Sequence, residues 1–195
     1  MLTKVAFVVM LSFILSIVLG FLIIPFLKKE KLDQILNRYL EETHKKKSGT
    51  PTMGGIIFIV PTILIILFLL LLNIIELNYS LLIVIFTFLS YSLIGFIDDY
   101  LIIIKNNNNG LSESAKFVLQ LFVAVIFFYL FMKAGNEPLL WIHTINLRLD
   151  IGWLYGLFIL FVLVASSNAV NLTDGLDGLA GGLSIIVFLT FGIIA

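Results

Sequence analysis

No cysteine occurs among the 195 residues. Disulfide frameworks, thiolate metal sites and cysteine nucleophiles are therefore excluded together, while the compartment stays open. Charge is scarce as well: Asp, Glu, Lys and Arg make up 12% of the chain, about half the ~25% of a soluble globular domain. With 61% hydrophobic residues, the sequence belongs in a bilayer. Nor is there an excess of one sign. Twelve basic residues balance twelve acidic ones, so no basic surface invites nucleic acid, and the placement of charge has to carry the argument.

A helix needs about 20 mostly apolar residues to cross the roughly 30 Å hydrocarbon core. Five stretches approach this, at about 5–27, 56–75, 80–97, 117–133 and 153–168, and a sixth begins near 179 and is still apolar at Ala195. The expectation is an all-α, polytopic transmembrane helix bundle forming a single integral-membrane domain over 1–195, with five full spans and a sixth cut off at the end of the sequence. The first stretch reads as a retained helix and not a signal peptide, because its apolar run is too long and no small-residue cleavage site follows. Nine of the twelve basic residues fall in the connections after spans one and three, against Lys4, Lys133 and Arg148 on the other side. The positive-inside rule then puts those connections in the cytoplasm. Ahead of the fifth span, Ile145, Leu147, Leu149 and Ile151 alternate with Asn146, Arg148 and Asp150. That period of two suggests a short external strand or hairpin; a loop dipping towards the headgroups is the alternative.

Connections after spans one, three and five must lie on the same side of the membrane, and each carries an unusual polar sequence. The first is KSGTPTMGG at 47–55. Thr50 and Pro51 suit a helix start, but capping does not explain lysines beside a glycine-rich turn, a combination suited to phosphate. The second is GFIDDY at 95–100. Two adjacent carboxylates at the end of a span face the negative end of the helix dipole, so something cationic should compensate. Paired Asp without Cys or His commonly serves a divalent metal with substrate phosphates. The third is SNAVNLTDGLDGLAGG at 167–182, in which Asn168, Asn171, Asp174 and Asp177 recur every three residues among glycines. Neighbouring pairs share a helix face, and the glycines suggest an interrupted helix lining a wet cavity.

In this order and at these span ends, the three strings resemble the polyprenyl-phosphate N-acetylhexosamine-1-phosphate transferase superfamily, and the GTPTMGG form resembles its muramoyl-pentapeptide branch. The resemblance covers essentially the whole chain. It implies Mg²⁺-dependent transfer of phospho-N-acetylmuramoyl-pentapeptide from UDP to undecaprenyl phosphate with release of UMP, the first lipid-linked step of peptidoglycan synthesis. It also implies a multi-pass protein of the bacterial inner membrane with its active site on the cytoplasmic face, working among membrane lipids, with no nucleic-acid partner and with room for an oligomer. Carried over residue by residue, it makes Asp98 and Asp99 the catalytic pair and metal ligands, with a further ligand expected beyond residue 195. It makes His44, Lys47, Thr52, Asn168, Asn171, Asp174 and Asp177 substrate-binding. Family members continue past this endpoint to a third Asp and a histidine-rich loop, so residues 1–195 alone are expected to be inactive. The alternatives are a transporter or channel subunit, since carboxylates and broken helices also mark ion paths, and an inactive membrane remnant.

Overall fold

The computed structural model describes residues 2–29, 52–105, 110–175 and 178–194. Among these residues six helices run in chain order: α1 (Leu2–Lys29), α2 (Ile56–Leu71), α3 (Tyr79–Lys105), α4 (Glu113–Lys133), α5 (Leu154–Thr173) and α6 (Leu179–Ile194). Two short strands, β1 (Leu139–Ile142) and β2 (Leu147–Asp150), lie between α4 and α5. The protein is a polytopic α-helical membrane protein. Its helices are apolar around most of their circumference, and large side chains such as Phe21, Leu71 and Phe188 are exposed, as suits a surface solvated by lipid.

Among the described residues four helices, α1, α3, α4 and α5, are long and apolar enough to cross a membrane. α2 is a shorter apolar helix, with 16 helical residues where the apolar run promised about 20. The cause is local. Asn73 adopts a left-handed conformation (φ 52°), and the amides of Asn73 and Ile74 donate back to the Leu70 and Leu69 carbonyls at 3.0 and 2.9 Å. This is the Schellman arrangement, which satisfies the last carbonyls and stops the helix. Gly135 closes α4 in the same way, with φ 81° and a 3.0 Å bond to the Met132 carbonyl.

The chain divides into two compact units, Met1–Lys116 and Phe117–Ala195. In the first, α1 packs on α2, where Gly20 faces the Ile57 side chain, and Leu27, Pro61, Ile65, Ile83 and Ile94 are buried. In the second, Gly156 of α5 lies directly under the Phe128 ring of α4, and Gln120, Val123, Ala124 and Ile159 are buried. The period-two segment supplies the second strand of a hairpin whose first strand, β1, lies before it. β1 and β2 pair antiparallel, Leu139 with Asp150 and Ile142 with Leu147, around a tight turn in which Asn146 (φ 49°) takes the left-handed position and donates to the His143 carbonyl. Asn tolerates that conformation better than most residues.

Candidate functional site

Two expectations about the acidic pair change with the structure. Asp98 and Asp99 do not sit at the end of a helix, because α3 continues through them to Lys105. Nor is the pair left to face a helix dipole alone. Asp98 Oδ1 accepts the Leu111 amide at 2.8 Å, and its Oδ2 accepts the Lys116 ammonium at 2.6 Å. The cation demanded by the sequence is therefore Lys116, in the first turn of α4. Lys105 Nζ donates to the Gly110 carbonyl at 3.1 Å, holding the same return of the chain. Gly110 is required there, since a Cβ would press on Asp98 Oδ1 and lie 2.9 Å from the Asp98 carbonyl oxygen.

Asp99 engages a different partner. Neighbours on a helix point about 100° apart, and while Asp98 faces the α3–α4 connection, Asp99 Oδ2 accepts the backbone amide of Met53 at 2.8 Å. Met53 has φ 65°, an uncommon conformation for a non-glycine residue that costs on the order of 1–3 kcal/mol and persists only where neighbours enforce it. Thr52 beside it is 5% exposed. This turn leads into α2, which starts where the apolar run was expected to begin. The helix begins at Ile56 with Gly55 at its N-cap and no side-chain cap; Thr50 and Pro51, read as a helix start, lie outside the described residues. The first and second polar clusters are thus joined within one unit, through Asp99 and Met53.

The third cluster lies in the second unit. α5 ends at Thr173 and α6 begins at Leu179, with Gly178 at φ 83°, so the chain is interrupted where the glycines suggested. Asn171 and Asp174 are exposed. Asp174 is the C-cap of α5, where the negative end of the dipole disfavours a carboxylate. Asn168 is occupied differently. Its Nδ2 donates to Gln120 Oε1 and to the Val164 carbonyl, both at 2.8 Å, while Gln120 Nε2 donates to Ser167 Oγ at 3.1 Å. Gln120 is 1% exposed, so Asn168 is engaged in an interhelical network between α4 and α5. His44, Lys47 and Asp177 lie outside the described residues.

Lys116, Gly110 and Gln120 were not singled out from the sequence, although two carried signals. A lysine in the first turn of a helix sits at the positive end of the dipole, which points to a carboxylate elsewhere. A glutamine within a 21-residue apolar helix needs a hydrogen-bonding partner inside the protein. As for metal ligands, the acidic pair supplies hard oxygen donors. Among the described residues no group of three His, Cys, Asp or Glu gathers. Mg²⁺ suits such a pair, because it keeps several waters and takes one or two carboxylates together with substrate phosphates.

The sequence model described as glycosyl transferase family 4 matches residues 81–195, and that of phospho-N-acetylmuramoyl-pentapeptide-transferase signature 1 matches residues 47–59. Curated relatives are similar along nearly the whole chain. A phospho-N-acetylmuramoyl-pentapeptide-transferase of Geobacillus thermodenitrificans is 38% identical over 94% of this chain and 56% of its own length. That of Bacillus subtilis is 37% identical over 98% of this chain and 59% of its own. That of Bacillus anthracis is 42% identical over 94% and 56%. The chain therefore spans less than two thirds of these relatives.

Proposed function

Since the chain belongs to glycosyl transferase family 4, we propose that it carries the acidic pair of a phospho-N-acetylmuramoyl-pentapeptide transferase. The reaction joins two anions. A phosphate oxygen of undecaprenyl phosphate attacks the sugar-bound phosphorus of UDP-N-acetylmuramoyl-pentapeptide, the phosphorus–oxygen bond to UMP breaks, and UMP leaves with that electron pair. The product carries the sugar on a lipid-linked pyrophosphate. Such a displacement needs positioning and charge neutralisation more than covalent help from the protein.

The observation that carries this reading is the 2.8 Å bond from the Met53 amide to Asp99. It ties the glycine-rich turn suited to phosphate to the carboxylates suited to a metal. Asp98 and Asp99 would hold Mg²⁺, which when bound neutralises phosphate oxygens and polarises the reacting phosphorus. Lys116 orients Asp98 through its 2.6 Å contact with Oδ2. His44, Lys47 and Thr52 are assigned to the substrate phosphates, and Asn171, Asp174 and Asp177 to the UDP-sugar. Asn168 is assigned to the same substrate side through its place beside them on α5. The active face is cytoplasmic on this reading, in agreement with the nine basic residues gathered there.

The test is a transfer assay in membranes containing the protein expressed from its complete gene. Radiolabelled UDP-N-acetylmuramoyl-pentapeptide, undecaprenyl phosphate and Mg²⁺ should yield label in the lipid fraction and an equal amount of UMP. Absence of lipid-linked product, with ion flux in its place, would replace the transferase by a transporter.

A further inference from the structure

The hairpin between α4 and α5 has two chemically different faces. Side chains alternate along a strand, and Leu140 pairs with Leu149 and Ile142 with Leu147, so four aliphatic side chains share one face. Ile142, Leu147 and Leu149 remain 38–39% exposed, and Ile145 in the turn is 65% exposed. On the other face Trp141 pairs with Arg148. The guanidinium lies 4.2 Å from the Trp141 ring centre and the His143 ring 3.7 Å from it. Two strands of four residues are marginal in water by themselves. An aliphatic face left open on so small an element requires a cover.

We propose that the membrane supplies that cover: the hairpin lies in the headgroup layer with its aliphatic face towards the acyl chains. Position is the first argument. α4 ends at Lys133 and α5 begins at Leu154, and both helices are long and apolar enough to cross a bilayer, so the hairpin starts and finishes at the membrane boundary. Each strand is about 13 Å long at ~3.3 Å per residue, whereas the interfacial layer is roughly 5–8 Å deep on each side. An upright hairpin would carry Ile142, Ile145 and Leu147 out into water; a flat one keeps them at the acyl boundary. Composition is the second argument. Both tryptophans of this sequence, Trp141 and Trp153, are in this connection, and Trp153 is 86% exposed. Tryptophan is enriched where one end of a ring is apolar and the other wet.

Charge decides which lipid surface is meant. Lys133 and Arg148 are matched by Glu137 and Asp150, so binding draws on apolar area and aromatic anchoring and not on anionic headgroups. A hairpin held at this depth fixes how far α4 and α5 enter the bilayer. It thereby also sets the height of the Gln120–Asn168 network.

The experiment uses the full chain in phosphatidylcholine vesicles and reads tryptophan emission. The difference between the protein and its Trp141→Phe variant is the contribution of Trp141, and Trp153→Phe gives that of Trp153 in the same way. Quenching by lipids labelled at the headgroup, by lipids brominated along the acyl chains and by aqueous iodide locates each ring. Trp153 should be quenched most by labels within about 5–10 Å of the headgroup–acyl boundary, with little effect of iodide, whereas Trp141, on the face turned away from the acyl chains, should be quenched most by the headgroup label and only partly by iodide. The same pattern should hold when anionic lipid is added. Strong iodide quenching of Trp141 without lipid quenching would place the hairpin in water and overturn the proposal. Protection from both iodide and lipid labels would overturn it too, since the face would then be covered by a second copy or another protein.

Discussion

Asp98 is held at both carboxylate oxygens. Its two oxygens take a backbone amide and an ammonium from the segment that follows α3, and Gly110 leaves just enough room for that segment to pass. Gly110→Ala should destabilise the protein by about 1–3 kcal/mol, the usual cost of overpacking, measurable as earlier thermal unfolding in detergent. An unchanged unfolding temperature would mean that the return of the chain over Asp98 is looser than described. Lys116→Met should cost about 1.5–3 kcal/mol, the worth of a hydrogen bond to a charged group, while Lys116→Arg should recover most of it. Equal losses in the two variants would show that the ammonium's packing matters and its charge does not. Lys116 was legible in the sequence only as one more positive charge for topology. Its misplacement at a helix N-terminus was the clue to its partner, and spacing alone could not say which of several carboxylates that was.

Among the elements, the spans were legible and their ends were not. Hydropathy records where lipid stops, whereas a helix stops where its backbone groups find other partners. α3 passes through two aspartates because Leu111, Lys116 and Met53 supply donors to them, so nothing forces the backbone to leave the helix there. α2 starts at Ile56 as the apolar run predicts, after the Met53 turn, and it ends early at Asn73, whose left-handed conformation no periodicity reveals. Alternation over 145–151 pointed to the second strand of the hairpin, whereas β1, with the sequence LLWI, carries no such pattern. The polar network between α4 and α5 is an element-level bond, and it can be measured as one. Gln120→Leu and Asn168→Leu should be non-additive, with a coupling of about 0.6–1.7 kcal/mol, the range found for hydrogen bonds between membrane helices. Additive effects on unfolding in detergent would mean that Gln120 and Asn168 act independently and that Asn168 serves the substrate alone.

For the whole molecule, composition settled the class, since so apolar a chain folds in lipid. Charge placement supplied the proposed orientation. A cysteine introduced at Asn107 in this cysteine-free sequence should resist an impermeant thiol reagent in intact cells, and one at Glu137 should react. Labelling of the first position from outside would invert the orientation. The assignment of chemistry to the acidic pair stands above these details, and one measurement addresses it most directly. Asp98→Asn and Asp99→Asn keep shape and an acceptor for the Leu111 and Met53 amides while removing charge. In membranes containing the protein from its complete gene, each should be inserted normally and transfer phospho-N-acetylmuramoyl-pentapeptide to lipid about 10²–10⁴-fold more slowly, the loss expected when a charge-stabilising or proton-accepting group is removed. Turnover near the unmodified rate in both variants would contradict the account and move the chemistry to other residues.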